Sequence, residues 1–153
     1  MRKNKATTFS LTNLSKDKLP RLPFLKMKET VLGKKYELSL VFVTNSLSKK
    51  LNRLYRQKNK ATDILSFTLG KKTGEIFISQ KAAKAEAPKF NQKLSPFIAR
   101  LFIHGLFHLK GFEHGSTMEY QERQVGRKFG INGEVPINPP ERLQRFSRAG
   151  KKQ

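Results

Sequence analysis

The chain has no cysteine, no tryptophan and few acidic residues. Without cysteine there are no disulfides and no thiolate ligands, so a metal site would have to use His, Asp or Glu. No apolar run approaches the roughly 20 residues that a membrane-spanning helix needs. The first twenty residues also lack the apolar segment of a secretory signal. We therefore expect one cytoplasmic domain from the 153 residues, and an organellar location stays open as an alternative.

The charge is strongly one-sided, with 32 Lys and Arg against 11 Asp and Glu, a formal net charge of +21. Self-repulsion of this size is best tolerated when the working partner is a polyanion. The composition therefore favours RNA or DNA as a partner over an anionic membrane surface or a merely solubilising surface. Residues 141–153 are basic without periodicity, which predicts a mobile tail that offers cations to phosphates. Its basic side chains are Arg142, Arg145, Arg148, Lys151 and Lys152.

The pattern of apolar and turn-forming residues predicts one α+β domain over residues 1–140. Its first 19 residues form a basic segment with one possible strand. About four strands should form a mixed sheet with helices packed on it. Strands are predicted at 7–11, 36–44, 62–69 and 75–79, the last two as a hairpin. Helices are predicted at 22–32, at 81–87, 96–110 and 116–128, and a further helix that includes Leu47 to Tyr55 is predicted to be capped by Asn45 or Ser46.

All three histidines fall within residues 104–114, in the segment H-G-L-F-H-L-K-G-F-E-H. His104 and His108 are four apart, so a helix places both on one face about 6 Å apart along its axis. Gly111 can end that helix with a positive φ and let the chain return His114 to the same ion. Three nitrogen ligands leave one position for water, as in catalytic zinc sites. The spacing predicts one divalent ion, with zinc foremost and nickel or cobalt as alternatives.

The same spacing occurs in metzincin proteases, H-E-x-x-H-x-x-G-x-x-H, where the Glu is the general base. Here Gly105 stands in its place, so peptide hydrolysis would lack its proton acceptor. A metalloprotease is therefore the weaker alternative. A non-catalytic RNA-binding factor with a purely structural metal is the other.

Several motifs together resemble the YbeY family of endoribonucleases. The histidine segment is similar to the family's H-G-x-L-H-L-x-G-Y-D-H, with three His and two Gly matched. Residues 51–67, L-N-R-L-Y-R-Q-K-N-K-A-T-D-I-L-S-F, resemble L-N-x-x-Y-R-x-K-D-x-P-T-D-V-L-S-F. Residues 74–79, G-E-I-F-I-S, resemble G-D-I-x-I-S, and Met118 with Glu122 resembles M-x-x-x-E. The matches keep the family's order from about residue 41 to residue 130.

The resemblance implies a metal-dependent endoribonuclease that is specific for single strands. It implies a role in maturing the 3′ end of small-subunit ribosomal RNA and in ribosome quality control. Ribosomal RNA and small-subunit ribosomal proteins are the implied partners, and no membrane is implied. It also implies that His104, His108 and His114 are the metal ligands. Arg56 is implied as the catalytic arginine, because a guanidinium can hold two charged phosphoryl oxygens.

We further expect Arg53, Lys58, Lys60 and Lys110 to contact the RNA. Thr62, Asp63 and Ser66 either shape the edge of the cleft or serve only as turn and strand caps. The chain also departs from the family pattern beside this cleft. Ala61 and Thr68 replace prolines, Glu113 replaces an aspartate, and the link from Phe67 to Gly74 is short. We expect these changes to alter substrate reach more than metal binding.

Overall fold

The computed structural model describes residues 8–131. The predicted basic tail and the domain boundary at residue 140 lie outside this range. The strands are β1 (Phe9–Asn13), β2 (Glu37–Val43), β3 (Ile64–Gly70) and β4 (Thr73–Ser79). The helices are α1 (Phe24–Leu32), α2 (Asn45–Arg56), α3 (Gln80–Glu86), α4 (Leu94–Lys110) and α5 (Ser116–Lys128), with a 3-10 turn at Ala87–Phe90.

The four strands form one mixed sheet in the order β1-β2-β4-β3. β1, β2 and β4 are parallel, whereas β3 pairs antiparallel with β4 as the predicted hairpin. The predicted fold class, α+β with a four-stranded mixed sheet, is therefore confirmed. Because β3 runs against β4, its first residue lies at the end of the sheet where β4 stops. There the Ser79 N–H donates to the Asp63 carbonyl at 3.0 Å.

The core lies between one face of this sheet and the helices α1 and α4. Alternate residues of β2 supply its sheet side, since Leu38, Leu40 and Phe42 are all buried. α4 is apolar on nearly all sides, as expected of a helix surrounded by other elements. Its Phe102 ring meets the Phe24 ring of α1 edge-on at 5.0 Å between centroids. This packing fixes α4, the helix that carries two of the three histidines.

Some predicted boundaries shift by about two residues. β1 lies at Phe9–Asn13 rather than at 7–11. α4 begins at Leu94 rather than at Pro96, because the first turn of a helix needs no backbone N–H from proline. The predicted cap of α2, Asn45 or Ser46, is wrong: the cap is Thr44, whose Oγ1 accepts from the Leu47 N–H at 3.1 Å. Within residues 8–131 there is no helix with the length and apolarity to cross a membrane.

Candidate functional site

α4 brings His104 and His108 together on one face. Their ring centroids are 6.0 Å apart and the rings are inclined by 25°. Zinc binds imidazole nitrogen at about 2.0–2.1 Å, so two rings on one tetrahedral ion have centroids about 5 Å apart. His104 is buried and His108 is half-buried. The pair therefore has the spacing of two ligands to one ion, to within about 1 Å.

Glu122 of α5 contacts the first histidine of this pair. Its Oε2 lies 2.5 Å from His104 Nδ1, and the two side chains are only 12% and 9% exposed. When Nδ1 carries the proton, it donates to the carboxylate and Nε2 keeps its lone pair. Metal-binding histidines are commonly oriented by a carboxylate in this way. Glu122 therefore fits the role of a residue that fixes the ring and tautomer of His104.

Arg100 adds a positive charge within electrostatic reach of this carboxylate. It lies one helical turn before His104 on α4 and is half-buried. Burial lowers the pKa of Arg100, and the attraction of Glu122 partly opposes this shift. Glu122 thus interacts with both the Arg100 cation and the His104 imidazole.

The third histidine follows the end of α4. Gly111 has φ +107°, and the Phe112 N–H donates to the Phe107 carbonyl at 3.1 Å, the pattern of a Schellman end. The predicted turn at Gly111 is therefore present, and half-buried His114 lies in the connection to α5. Across residues 8–131, however, no three or more His, Cys, Asp or Glu side chains form a group that could hold a metal ion. The three-histidine ligand set stays a prediction.

Gly105 lies on the side of α4 that packs against the sheet. A Cβ atom there would be 3.0 Å from Ser66 Oγ and 3.1 Å from the Cδ1 atoms of Ile64 and Ile76. A glutamate at this position would therefore collide with the sheet in this arrangement. The carboxylate of Glu122 contacts the histidine pair at Nδ1 of His104. Neither Gly105 nor Glu122 supplies a general base of the metzincin kind, which weighs against a metalloprotease.

Arg56 belongs to an unexpectedly polar buried face of α2. Ser48, Asn52 and Arg56 follow one another at four-residue intervals and are all buried. Ser48 Oγ donates to the Thr62 carbonyl at 2.6 Å and accepts from the Thr62 N–H at 2.9 Å. Asn52 Nδ2 donates to the Lys60 carbonyl at 2.8 Å. The segment after α2 needs these partners because its backbone polar groups turn away from water.

The apolar residues of α2 lie away from this buried polar face. The spacing of Leu47, Leu51, Leu54 and Tyr55 suggested an apolar helix face, yet Leu54 and Tyr55 are 58% and 51% exposed. Arg56 is 3% exposed, and a guanidinium keeps its charge even in such an environment.

The residues predicted to contact RNA lie at or near the surface. Arg53, Lys60 and Lys110 are exposed and Lys58 is half-buried. Sequence reasoning overlooked Arg100, Ser48 and Asn52. For Arg100, the one sequence signal was its four-residue spacing from His104. For the other two, nothing in the sequence distinguished a buried polar face from a solvated one.

Proteins with similar sequences are endoribonucleases by name. One from Aster yellows witches'-broom phytoplasma is 37% identical over 123 residues, which cover 71% of this chain and 81% of that protein. One from Aquifex aeolicus is 32% identical over 114 residues, 71% of this chain and 75% of that protein. Both are named Endoribonuclease YbeY. The family model of that description matches residues 2–129. The chain therefore belongs to the YbeY endoribonuclease family, as the motifs predicted.

A solved structure shares the fold. The solution structure of TM1509 from Thermotoga maritima has a TM-score of 0.59 and 19% sequence identity, and the match covers 85% of this chain and 99% of that one. At this identity the likeness concerns the fold alone.

Proposed function

We propose that this protein is a metal-dependent endoribonuclease that cuts single-stranded RNA. The observation that carries the proposal is the His104–His108 pair with Glu122 on Nδ1, in a chain of an endoribonuclease family. Its substrate would be the 3′ end of small-subunit ribosomal RNA, and its setting ribosome quality control in the cytoplasm. This finer assignment rests on the resemblance of the motifs.

His104, His108 and His114 would hold the ion, with zinc foremost and nickel or cobalt as alternatives. Bound there, a divalent ion would polarise a phosphoryl oxygen and lower the pKa of water. The protein's own contribution is to orient the ligands. Glu122 holds His104 through Nδ1, and Arg100 lies close enough to stabilise the Glu122 carboxylate.

Arg56 would stabilise the charge that grows on the phosphodiester during cleavage. Its position on the buried face of α2 limits the motion of the guanidinium. A charge shielded from water also acts more strongly on a nearby phosphate. The cations at Arg53, Lys58, Lys60 and Lys110 would hold the flanking phosphates, a contribution that falls as salt rises.

An RNA cleavage assay tests this proposal. Metal-loaded protein is given an end-labelled single-stranded oligonucleotide and the same sequence as a duplex. We expect cleavage of the single strand, with a loss of about 100-fold or more in Arg56→Ala and His108→Ala, the usual cost of removing an electrostatic catalyst. Lys81→Ala, an exposed change on α3, is the control for general effects.

Two results would count against catalysis at this site. Equal cleavage by Arg56→Ala, His108→Ala and the parent would place the activity elsewhere. A His108→Ala protein that is less stable but binds RNA normally, with no cleavage by the parent, would indicate an assembly factor with a structural metal.

A 2′,3′-cyclic phosphate on the product would show attack by the RNA 2′-hydroxyl, whereas a linear end formed with solvent oxygen would show attack by water.

A further inference from the structure

Exposed apolar side chains occur at the end of α2 and near the end of β3. Leu54, Tyr55 and Leu69 are 58%, 51% and 58% exposed. The Tyr55 ring contacts Phe67 of β3 at 5.2 Å between centroids, and Phe67 contacts Phe77 of β4 at 5.9 Å, both edge-on. Phe67 itself is only 5% exposed. Tyr55 is thus a half-exposed ring that packs on Phe67, which in turn packs on Phe77, and not a freely moving surface side chain.

This aromatic row is connected to the candidate site through β3 and α2. Successive residues of a strand point to opposite faces of the sheet. Ser66 of β3 lies under Gly105 of the histidine helix, so Phe67 and the Tyr55 ring lie on the other face. β3 is an edge strand, and only this strand's edge separates the two faces there. Tyr55 also directly precedes Arg56, the proposed catalytic arginine.

The charges around the row suit RNA. Lys49, Lys50 and Arg53 are exposed on the same helix as Tyr55. The half-buried Glu75 is directly opposite Phe67 in the ladder, so both point to one face. A carboxylate repels phosphate but accepts hydrogen bonds from the amino groups of bases. Cations on the helix and a carboxylate beside the rings therefore favour a phosphate at α2 and a base on the rings.

We propose that Tyr55, backed by Phe67 and Phe77, is a stacking platform for one unpaired nucleobase of the RNA that flanks the cleavage point. The inference rests on the proposed function and adds a subsite to it. Every base has a face that can stack, whereas bases within a duplex keep theirs covered. The platform thus gives a physical reason for preferring single strands that the metal and Arg56 do not supply.

Binding measurements with the full chain test the platform. The probe is a fluorescein-labelled 2′-O-methyl oligoadenylate, which lacks a free 2′-hydroxyl, and anisotropy is followed at several salt concentrations. We expect Tyr55→Ala to weaken binding about tenfold, the usual loss for one stacked base, without changing the salt dependence. Arg53→Ala should instead reduce the salt slope by about 1. Tyr120→Ala on α5, where the ring is 54% exposed, is the matched control and should bind normally.

The absence of tryptophan gives a direct readout. Intrinsic fluorescence comes from three tyrosines, of which Tyr36 is buried. Stacking on Tyr55 should quench this emission. Tyr55→Phe should keep the affinity and lose most of the quenching, and Tyr120→Phe should keep both.

Three outcomes would overturn the platform. Tyr55→Ala could bind as tightly as the parent, or an oligomer with abasic sites could bind as well as the base-containing one. Alternatively, Tyr55→Ala could change only self-association in sedimentation runs, which would make this face a protein contact. In all three the parent still binds the single strand, so the proposed function stands. A parent that binds no single-stranded probe refutes both.

Discussion

Replacement of Glu122 by glutamine tests how the histidine pair is prepared for an ion. The change keeps the shape of the side chain and removes the charge that lies 2.5 Å from His104 Nδ1. Both groups are nearly buried, so water cannot readily replace the lost charge. An amide can also donate to Nδ1 instead of accepting from it, which would leave His104 in either tautomer. Loss of such an orienting partner typically weakens metal binding by 10- to 100-fold.

The assay is a zinc titration against a chromophoric chelator, repeated with cobalt. A second readout uses metal-free protein: nitrogen chemical shifts of the His104 ring report which nitrogen carries the proton. We expect Glu122→Gln to bind zinc about 10- to 100-fold more weakly and to shift the ring away from the Nδ1–H form. Glu119→Gln, on the same helix and half-buried, is the control. Unchanged affinity together with unchanged ring shifts would refute the positioning role.

Three further changes test the surroundings by urea unfolding. Gly105→Ala should lower the free energy of unfolding by about 1–3 kcal/mol because its Cβ would lie 3.0–3.1 Å from buried sheet side chains. Gly126→Ala has no contact nearer than 3.6 Å and should raise the free energy of unfolding by up to about 1 kcal/mol. A change of the same sign in both variants would contradict this reasoning. Ser48→Ala should cost about 1–3 kcal/mol because it leaves both Thr62 backbone groups without that hydroxyl, and a neutral result would mean that water replaces it. Burial lowers the pKa of Lys28, against the opposing pull of Glu29, so the unfolded chain holds its proton more tightly and stability rises with pH from the lowered pKa up to the ordinary lysine value. Lys28→Met should flatten this rise at pH values below the ordinary lysine pKa of 10.5, and an unchanged pH profile would exclude Lys28 as its source.

Much of the framework follows from local sequence patterns. An uninterrupted β-rich run predicted a strand at 36–44, observed as Glu37–Val43. Gly33 and Gly111 marked helix ends that the structure confirms. These features depend on a few neighbouring residues, whose apolar spacing and glycine positions are visible in the sequence.

The rest depends on how distant elements meet. The face that α2 buries is set by the backbone of residues 57–63, and nothing local to Leu54 or Tyr55 announces that they stay exposed. The His104–His108 pair follows from a four-residue spacing, but its contact with Glu122 requires α5 to cross α4 at one place. Only the family motif distinguished Arg56 from the 31 other basic residues, because the spacing of residues along a helix does not show which arginine is catalytic.

The metal content of purified protein, measured by elemental analysis, tests the central claim most directly. The parent and the single alanine variants of His104, His108 and His114 are loaded with zinc and dialysed under one protocol. The three-histidine site predicts one ion per parent chain and a large loss in each variant. A parent without bound metal, or variants that all retain the full equivalent, would contradict it.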